Sequence, residues 1–223
     1  MRLVNAEMIL SIDLEENVPA ILVIENQKVM ADVVEQLYEL CDSGKGDFVL
    51  SDSGKQLSFE KTVEIIINPF SIDFNARKIQ NKLYSELLEA ESSYVEEKAH
   101  IQTMIIDYLD NLIHNVPYEM ISSELDLDSI KLFKMLEVRI EPQCNSLLER
   151  LIEYIKILTR LLRKKLIVFV SICNYLDSDE INSLYEICSY HKVMVLFIES
   201  CEHLFQFPVK TNIIDRDKCL IVK

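Results

Sequence analysis

Apolar residues cluster along this chain in two distinct rhythms. Leu166-Ile167-Val168-Phe169-Val170 and Val193-Met194-Val195-Leu196-Phe197-Ile198 are continuous runs rich in β-branched residues. Such runs predict strands buried on both faces. Between them Ser178 can cap a helix whose buried face carries Ile181, Leu184, Ile187 and Cys188. Strand, helix, strand predicts a parallel βαβ unit. Near the other end, two or three strands are expected within residues 1–24, from Met8-Ile9-Leu10, Ile12-x-Leu14 and the run Ala20 to Ile24 that follows Pro19. A helix comes next, with Val29, Val33, Leu37 and Leu40 at helical spacing. Gly44-Lys45 and Gly54-Lys55 read as turns, the second between Phe48-Val49-Leu50 and Leu57-x-Phe59, and the run Val63 to Ile67 stops at Pro69.

From about Asn75 the period changes. Ile79, Leu83, Leu87, Ala90 and Tyr94 predict one long amphipathic helix, and Ile101, Ile105, Leu109 and Leu112 a second that ends before Pro117. Asp126 or Asp128 can cap a third helix containing Ile130, Leu132, Phe133 and Leu136. Ser146-Leu147-Leu148-Glu149 is a capping box opening a fourth helix, to about Lys164, with Leu147, Leu151, Tyr154, Leu158 and Leu161 on one face. Two short strands close the chain, Asn212 to Ile214 and Cys219 to Val222. The expected architecture is an α/β head built from residues 1–75 and 156–223, with an α-helical leg inserted at 76–155.

The order in the second half resembles the ABC-type ATPases, where a Walker B strand ends in Asp-Glu, an Asn-x-Leu-Asp loop and helix follow, and the next strand ends in a switch His. Here Asn174-Tyr175-Leu176-Asp177 is present, but Val170-Ser171 replaces the acidic pair and Glu199-Ser200 stands at the switch position. The strand-to-helix loop Glu25-Asn26-Gln27-Lys28 has no glycine, and a phosphate cradle needs glycine to turn backbone N–H groups inward. Neither Gly-Lys pair has the Walker A spacing, since Glu39 and Val49 take the upstream glycine position. An ABC-ATPase-like head with a degenerate nucleotide site, and no enzyme activity, is the expectation.

Composition narrows the classes further. Hydrophobic residues make up 49% of the 223, and only three Gly and five Pro are present, which argues for a globular chain. No apolar run reaches the roughly 20 residues of a membrane span, and the N-terminus lacks a signal peptide's apolar core, so a cytoplasmic protein is expected. Six cysteines without a C-x-x-C pair read as buried thiols in a reducing compartment. A net charge of −14 argues against indiscriminate nucleic-acid binding but allows local basic patches and acidic clusters neutralised by divalent cations.

Glu119, Glu124, Asp126 and Asp128 crowd one connection between helices. Clustered carboxylates in an irregular loop suit calcium, a hard cation taking six to eight oxygens. The plain alternative is a solvated acidic loop and a helix cap. Lys131, Lys134 and Arg139 lie close by in sequence, and Arg160, Arg163, Lys164 and Lys165 form a second basic group, either phosphate contacts or ordinary helix faces. His100, His114, His191 and His203 show neither paired spacing nor a Cys arrangement with zinc spacing, and no catalytic or metal role is assigned to them.

Val23-Ile24-Glu25, Val138-Arg139-Ile140-Glu141 and Leu162-Arg163-Lys164-Lys165 leading into Leu166 to Val170 are similar to segments of the adaptation protein family of type II-A CRISPR systems. The likeness covers essentially the whole chain. It implies a non-catalytic ABC-ATPase-like head with a helical leg, assembled as a homotetrameric ring that threads double-stranded DNA ends without sequence preference. It also implies calcium in the leg region, and an integrase complex and an RNA-guided effector nuclease as partners during spacer acquisition. Carried onto this chain, the calcium ligands fall on Glu119, Glu124, Asp126, Asp128 and Glu141. DNA contacts fall on Lys131, Lys134, Arg139, Lys156, Arg160, Arg163 and Lys164. No membrane or nucleotide partner is implied. Two other classes stay open: a protein-interaction scaffold that never touches DNA, and a residual ATPase.

Overall fold

Six strands form the main sheet, in the order β10-β9-β3-β8-β7-β6. The five from β9 (Lys210–Ile214) through β3 (Ala20–Ile24), β8 (Met194–Glu199) and β7 (Leu166–Val170) to β6 (Val63–Ile66) are parallel, and β10 (Leu220–Val222) pairs antiparallel at the edge. Every residue of β3 and β7 is buried, which is why both read as unbroken apolar runs. A second, antiparallel sheet has the order β2 (Leu10–Asp13), β1 (Arg2–Asn5), β4 (Phe48–Asp52) and β5 (Lys55–Gln56). The structure is a computed structural model and describes residues 1–118, 120–123 and 126–223.

Helix α1 (Gln27–Asp42) lies in the core shared by the two sheets, and its buried residues are Val29, Val33, Leu37 and Leu40. Leu3, Leu10, Ile12 and Leu50 meet it from the small sheet, and Leu22, Val168, Leu196 and Ile198 from the large one. Alternate strand residues, among them Ile167, Phe169, Val195 and Phe197, are buried outside that cluster. So are Leu151, Ile155 and Leu158 of α6 (Leu147–Arg160) and Ile181, Leu184 and Cys188 of α7 (Ser178–Tyr190), two helices that pack on each other.

The chain divides into two compact units, Met1–Asp73 with Pro142–Lys223, and Phe74–Glu141. The expected leg reached residue 155, but α6 belongs to the sheet-containing unit. An amphipathic stripe announces that a helix will be buried and says nothing about the partner. Within the smaller unit, α3 (Arg77–Glu91) ends three residues before Tyr94, whose side chain is exposed, and α4 starts at Val95 and runs to His114. The Asn75 side chain exchanges hydrogen bonds with both backbone groups of Ile140, at 2.8 and 2.9 Å, and the Tyr84 hydroxyl donates to the Val138 carbonyl. These bonds pin the segment Val138 to Glu141 near the unit's two chain ends.

Local chemistry decided several further details. Asp177, not Ser178, caps α7, in a capping box with Glu180. Ser146 caps α6 through the Glu149 amide, while the Glu149 carboxylate accepts from Asn145, and α6 ends at Arg160 rather than Lys164. Leu57-x-Phe59 does not continue the hairpin: Ser58 accepts from the Lys61 amide and opens the short helix α2 (Phe59–Thr62). Ile9 lies in a turn at φ 52°, with its side chain exposed. None of the six cysteines forms a disulfide, and only Cys188 is buried. Among the described residues no helix is long and apolar enough to cross a membrane.

Candidate nucleic-acid interface

In the smaller unit the short helix α5 (Ser129–Met135) carries Lys131 and Lys134, both exposed. Asp128 caps it, with one carboxylate oxygen 3.0 Å from the Lys131 amide and the other 4.0 Å from the Lys131 ammonium. The amide donor holds Asp128 below the usual carboxylate range. Arg139 follows, exposed, 2.9 Å from Glu141 and 3.9 Å from Glu137. Glu119 and Glu124 lie outside the described residues. Asp126, Asp128 and Glu141 do not gather into a three-ligand group among the described residues, and two of them are engaged by cations of their own unit. Their carboxylate chemistry suits calcium, but these three alone do not form its coordination shell.

In the larger unit, α6 and α7 build a basic patch. Lys156 and Arg160 are one helical turn apart on α6, and His191 is the residue that ends α7. Burial first, then the charges of Arg160 and Lys156, hold the His191 imidazole below its ordinary pKa of 6.5. Glu153 pairs with Lys156 at 2.6 Å. The sequence pattern around His191 gave no sign of this patch, because His191 reaches it by helix packing.

The sign of the linkage follows from that depression. Between the lowered folded value and 6.5 the unfolded chain binds more protons than the folded one, so stability falls as pH drops through this window. Resonances of His191 should therefore titrate below 6.5 in the free protein. The midpoint should rise when duplex DNA brings phosphates to the patch. A midpoint unmoved by saturating DNA would remove His191 from the interface.

Arg163 is exposed, in a left-handed backbone position at φ 57°. Lys164 corrects the expectation of a DNA contact. Its side chain is buried, and its ammonium donates to the carbonyls of Glu60 and Val63 and lies 3.4 Å from the Glu64 carboxylate. The Tyr154 hydroxyl donates to the other oxygen of Glu64 at 2.8 Å. Lys164 thus belongs to a buried polar network and has no access to phosphate.

At the strand-to-helix loop the Asn26 side chain accepts from the Lys28 and Val29 amides and donates to the Arg216 carbonyl. Two first-turn donors of α1, the Lys28 and Val29 amides, are thereby satisfied from within the chain.

Comparison with known proteins agrees with the resemblance noted in the sequence. A family model described as CRISPR-associated protein (Cas_Csn2) matches residues 40–218. The chain is 26% identical over 198 residues to CRISPR-associated protein Csn2 of Enterococcus faecalis, covering 86% of this chain and 88% of the relative. It is 27% identical over 206 residues to the Csn2 of Streptococcus agalactiae, covering 90% and 89%. The crystal structure of Stu0660 of Streptococcus thermophilus shares the mixed α/β fold, with a TM-score of 0.62 at 12% identity over 100% of this chain and 76% of that one. The chain belongs to the Csn2 family of CRISPR-associated proteins.

Proposed function

We propose that this chain is a non-catalytic, sequence-independent double-stranded DNA-binding protein of CRISPR adaptation. It works as a homotetrameric ring on an ABC-ATPase-like head without a working nucleotide site, loads onto DNA ends, and acts with the integrase complex and the effector nuclease. The observation that carries this reading is the convergence of Lys156, Arg160 and His191 on a chain of net charge −14. Glu153 pairs with Lys156, but Arg160 and His191 add basic groups beside it, and a local basic cluster on an acidic chain suits the row of anions that a phosphate backbone supplies. Arg163 of the same unit, and separately Lys131, Lys134 and Arg139 of the smaller unit, are further candidates for phosphate contact, and phosphate-only contacts carry no base readout. Calcium in the Asp126–Asp128 connection, with Glu119, Glu124 and Glu141 as further candidates, offsets carboxylates where DNA approaches.

Helix α4 supports self-assembly. None of its residues is buried, and Ile101, Met104, Ile105, Tyr108 and Leu112 are all exposed. A 20-residue amphipathic helix gains most of its stability from a covered face, and another copy of the chain would supply that cover. The same face favours a second reading, a protein scaffold that does not bind DNA.

A mobility shift on linear and closed-circular duplexes, each with calcium and with chelator, separates these readings. The expected result is calcium-dependent binding to the linear form, by a species whose mass is four times 26.0 kDa. Reversing charge with Lys156→Glu and Arg160→Glu should weaken binding on all sequences alike and lower the salt slope by about 1 per lost phosphate contact. Binding absent at low salt would leave the scaffold.

A further inference from the structure

A second cluster of chemistry sits at the carboxyl ends of two neighbouring parallel strands. Strand β7 stops at Val170, and Ser171 turns the chain sharply at φ 53°, its amide donating to the Ile198 carbonyl. That turn sets Cys173, in a short 3-10 turn, beside Glu199, the last residue of β8. The Cys173 amide donates to one Glu199 oxygen at 3.2 Å. The other oxygen lies 3.7 Å from Nε2 of His203, and the Cys201 thiol lies 3.5 Å from the same nitrogen. Ligand atoms of Cys173, Glu199 and His203 all fall within 4.8 Å of one another, and no other such group of three occurs among the described residues. The Glu199 carboxylate is buried, only 1% exposed, while Cys173 and His203 line a crevice with Leu176, Asp177 and Phe205. In parallel sheets, ligand sites form outside the carboxyl ends of the strands.

We propose that Cys173, Glu199 and His203 hold a zinc(II) ion, with the exposed Cys201 thiol, 3.5 Å from His203 Nε2 but outside the three-residue group, turning in as fourth ligand. Metal bonds of about 2.0 Å to nitrogen or oxygen and about 2.3 Å to sulfur place tetrahedral donors roughly 3.3–3.8 Å apart. The 3.5 and 3.7 Å separations at His203 Nε2 already have that span, and the ion would sit among the donors. Sulfur and imidazole donors select a borderline-soft metal over calcium, so this site is chemically separate from the carboxylate loop of the smaller unit. Each coordinating thiol gives its proton to solvent as its metal bond forms. The role is structural: the ion fastens the segment after β8, from Cys201 to Phe207, to the end of the sheet. The buried Glu199 then gains a cation as partner in addition to its donors from Cys173 and the Ile172 backbone.

Tag-free protein, reduced and stripped with chelator, is titrated with cobalt(II) as the spectroscopic probe. Expected are one equivalent per chain, a thiolate-to-cobalt charge-transfer band, visible bands of tetrahedral intensity, and their loss on adding one equivalent of zinc(II). His203→Asn and Cys173→Ser should each abolish the charge-transfer spectrum or reduce cobalt affinity more than tenfold. Cys201→Ser should also reduce affinity. His203 is partly exposed, so its variant keeps the fold and circular dichroism confirms it, whereas Glu199→Gln risks the core. No charge-transfer band in the parent protein, or a band unchanged in the folded His203→Asn and Cys173→Ser variants, overturns the proposal. DNA binding is not the readout, so the two proposals fail independently.

Discussion

Lys164→Ala is expected to destabilise the protein by about 3–5 kcal/mol, the cost of leaving a buried carboxylate without its cation. Lys164 and Glu64 are each 8% exposed, and the ammonium joins three acceptors: the carbonyls of Glu60 and Val63 and the Glu64 carboxylate. Removing it takes a cation from Glu64 and a donor from both carbonyls, at the start of β6. Tyr154 cannot compensate, because its single hydroxyl proton already goes to Glu64, and burial together with that carboxylate raises its pKa far above the ordinary value. The double change Glu64→Gln with Lys164→Met should recover most of the loss, since replacing both charges avoids the unpaired ion. Urea unfolding of the three variants provides the comparison. A loss below about 1 kcal/mol for Lys164→Ala would mean that the ammonium reaches water, and Lys164 would return to the list of phosphate contacts.

Phe169→Ala should cost a similar amount, about 3–5 kcal/mol, for a different reason. Phe169 is fully buried in the middle of β7 and stacks on Phe197 of β8 at 5.6 Å between ring centroids. Phe197 stacks in turn on Phe205 at 5.7 Å, and Phe205 meets Phe207 at 5.4 Å, which packs on Tyr185 of α7 at 4.3 Å. Truncation removes the first ring from this row and opens a cavity that a parallel sheet closes poorly, because its strands are fixed by their ladders on both sides. Phe205→Ala, in the middle of the row and outside the strands, should cost less and loosen the segment that carries His203. Thermal denaturation ranks the pair, and equal losses would show that the row does not transmit packing from the strand.

Both results bear on how the two proposed binding surfaces are held. The basic patch depends on α6 lying against α7, and the Cys173 cluster depends on the ends of β7 and β8. Mutations beneath either surface therefore act on geometry before they act on charge. DNA-binding losses in Phe169 or Lys164 variants should accordingly track the folded fraction, whereas losses in Lys156 and Arg160 variants should appear at unchanged stability.

By itself the sequence determined the elements whose signal is local. Strands β3, β7 and β8 were legible because burial on both faces leaves only apolar residues, and α1 because four buried positions recur at helical spacing. Pro69 and Ser146 marked element boundaries through local chemistry, and of the two cap candidates Asp126 and Asp128 the structure selects Asp128. The missing glycine at Asn26 was equally plain, since phosphate cradling is a local backbone requirement. Family membership rested on extended segments such as Leu162 to Val170 and needed no contact information.

Only the tertiary structure decided what meets what. Lys164 looked like a helix-end cation and is a core residue, because Glu64, a hundred positions earlier, lies on the adjacent strand. Helix α6 looked like part of the insertion and belongs with the sheet, since an amphipathic face fits any apolar surface of the right shape. His191 joins Lys156 and Arg160, and Cys173 joins Glu199 and His203, across separations no spacing rule covers. The physical reason is the same in each case. A local pattern fixes which side chains leave water, while the partners they find there depend on strand order and helix packing, which are properties of the whole fold.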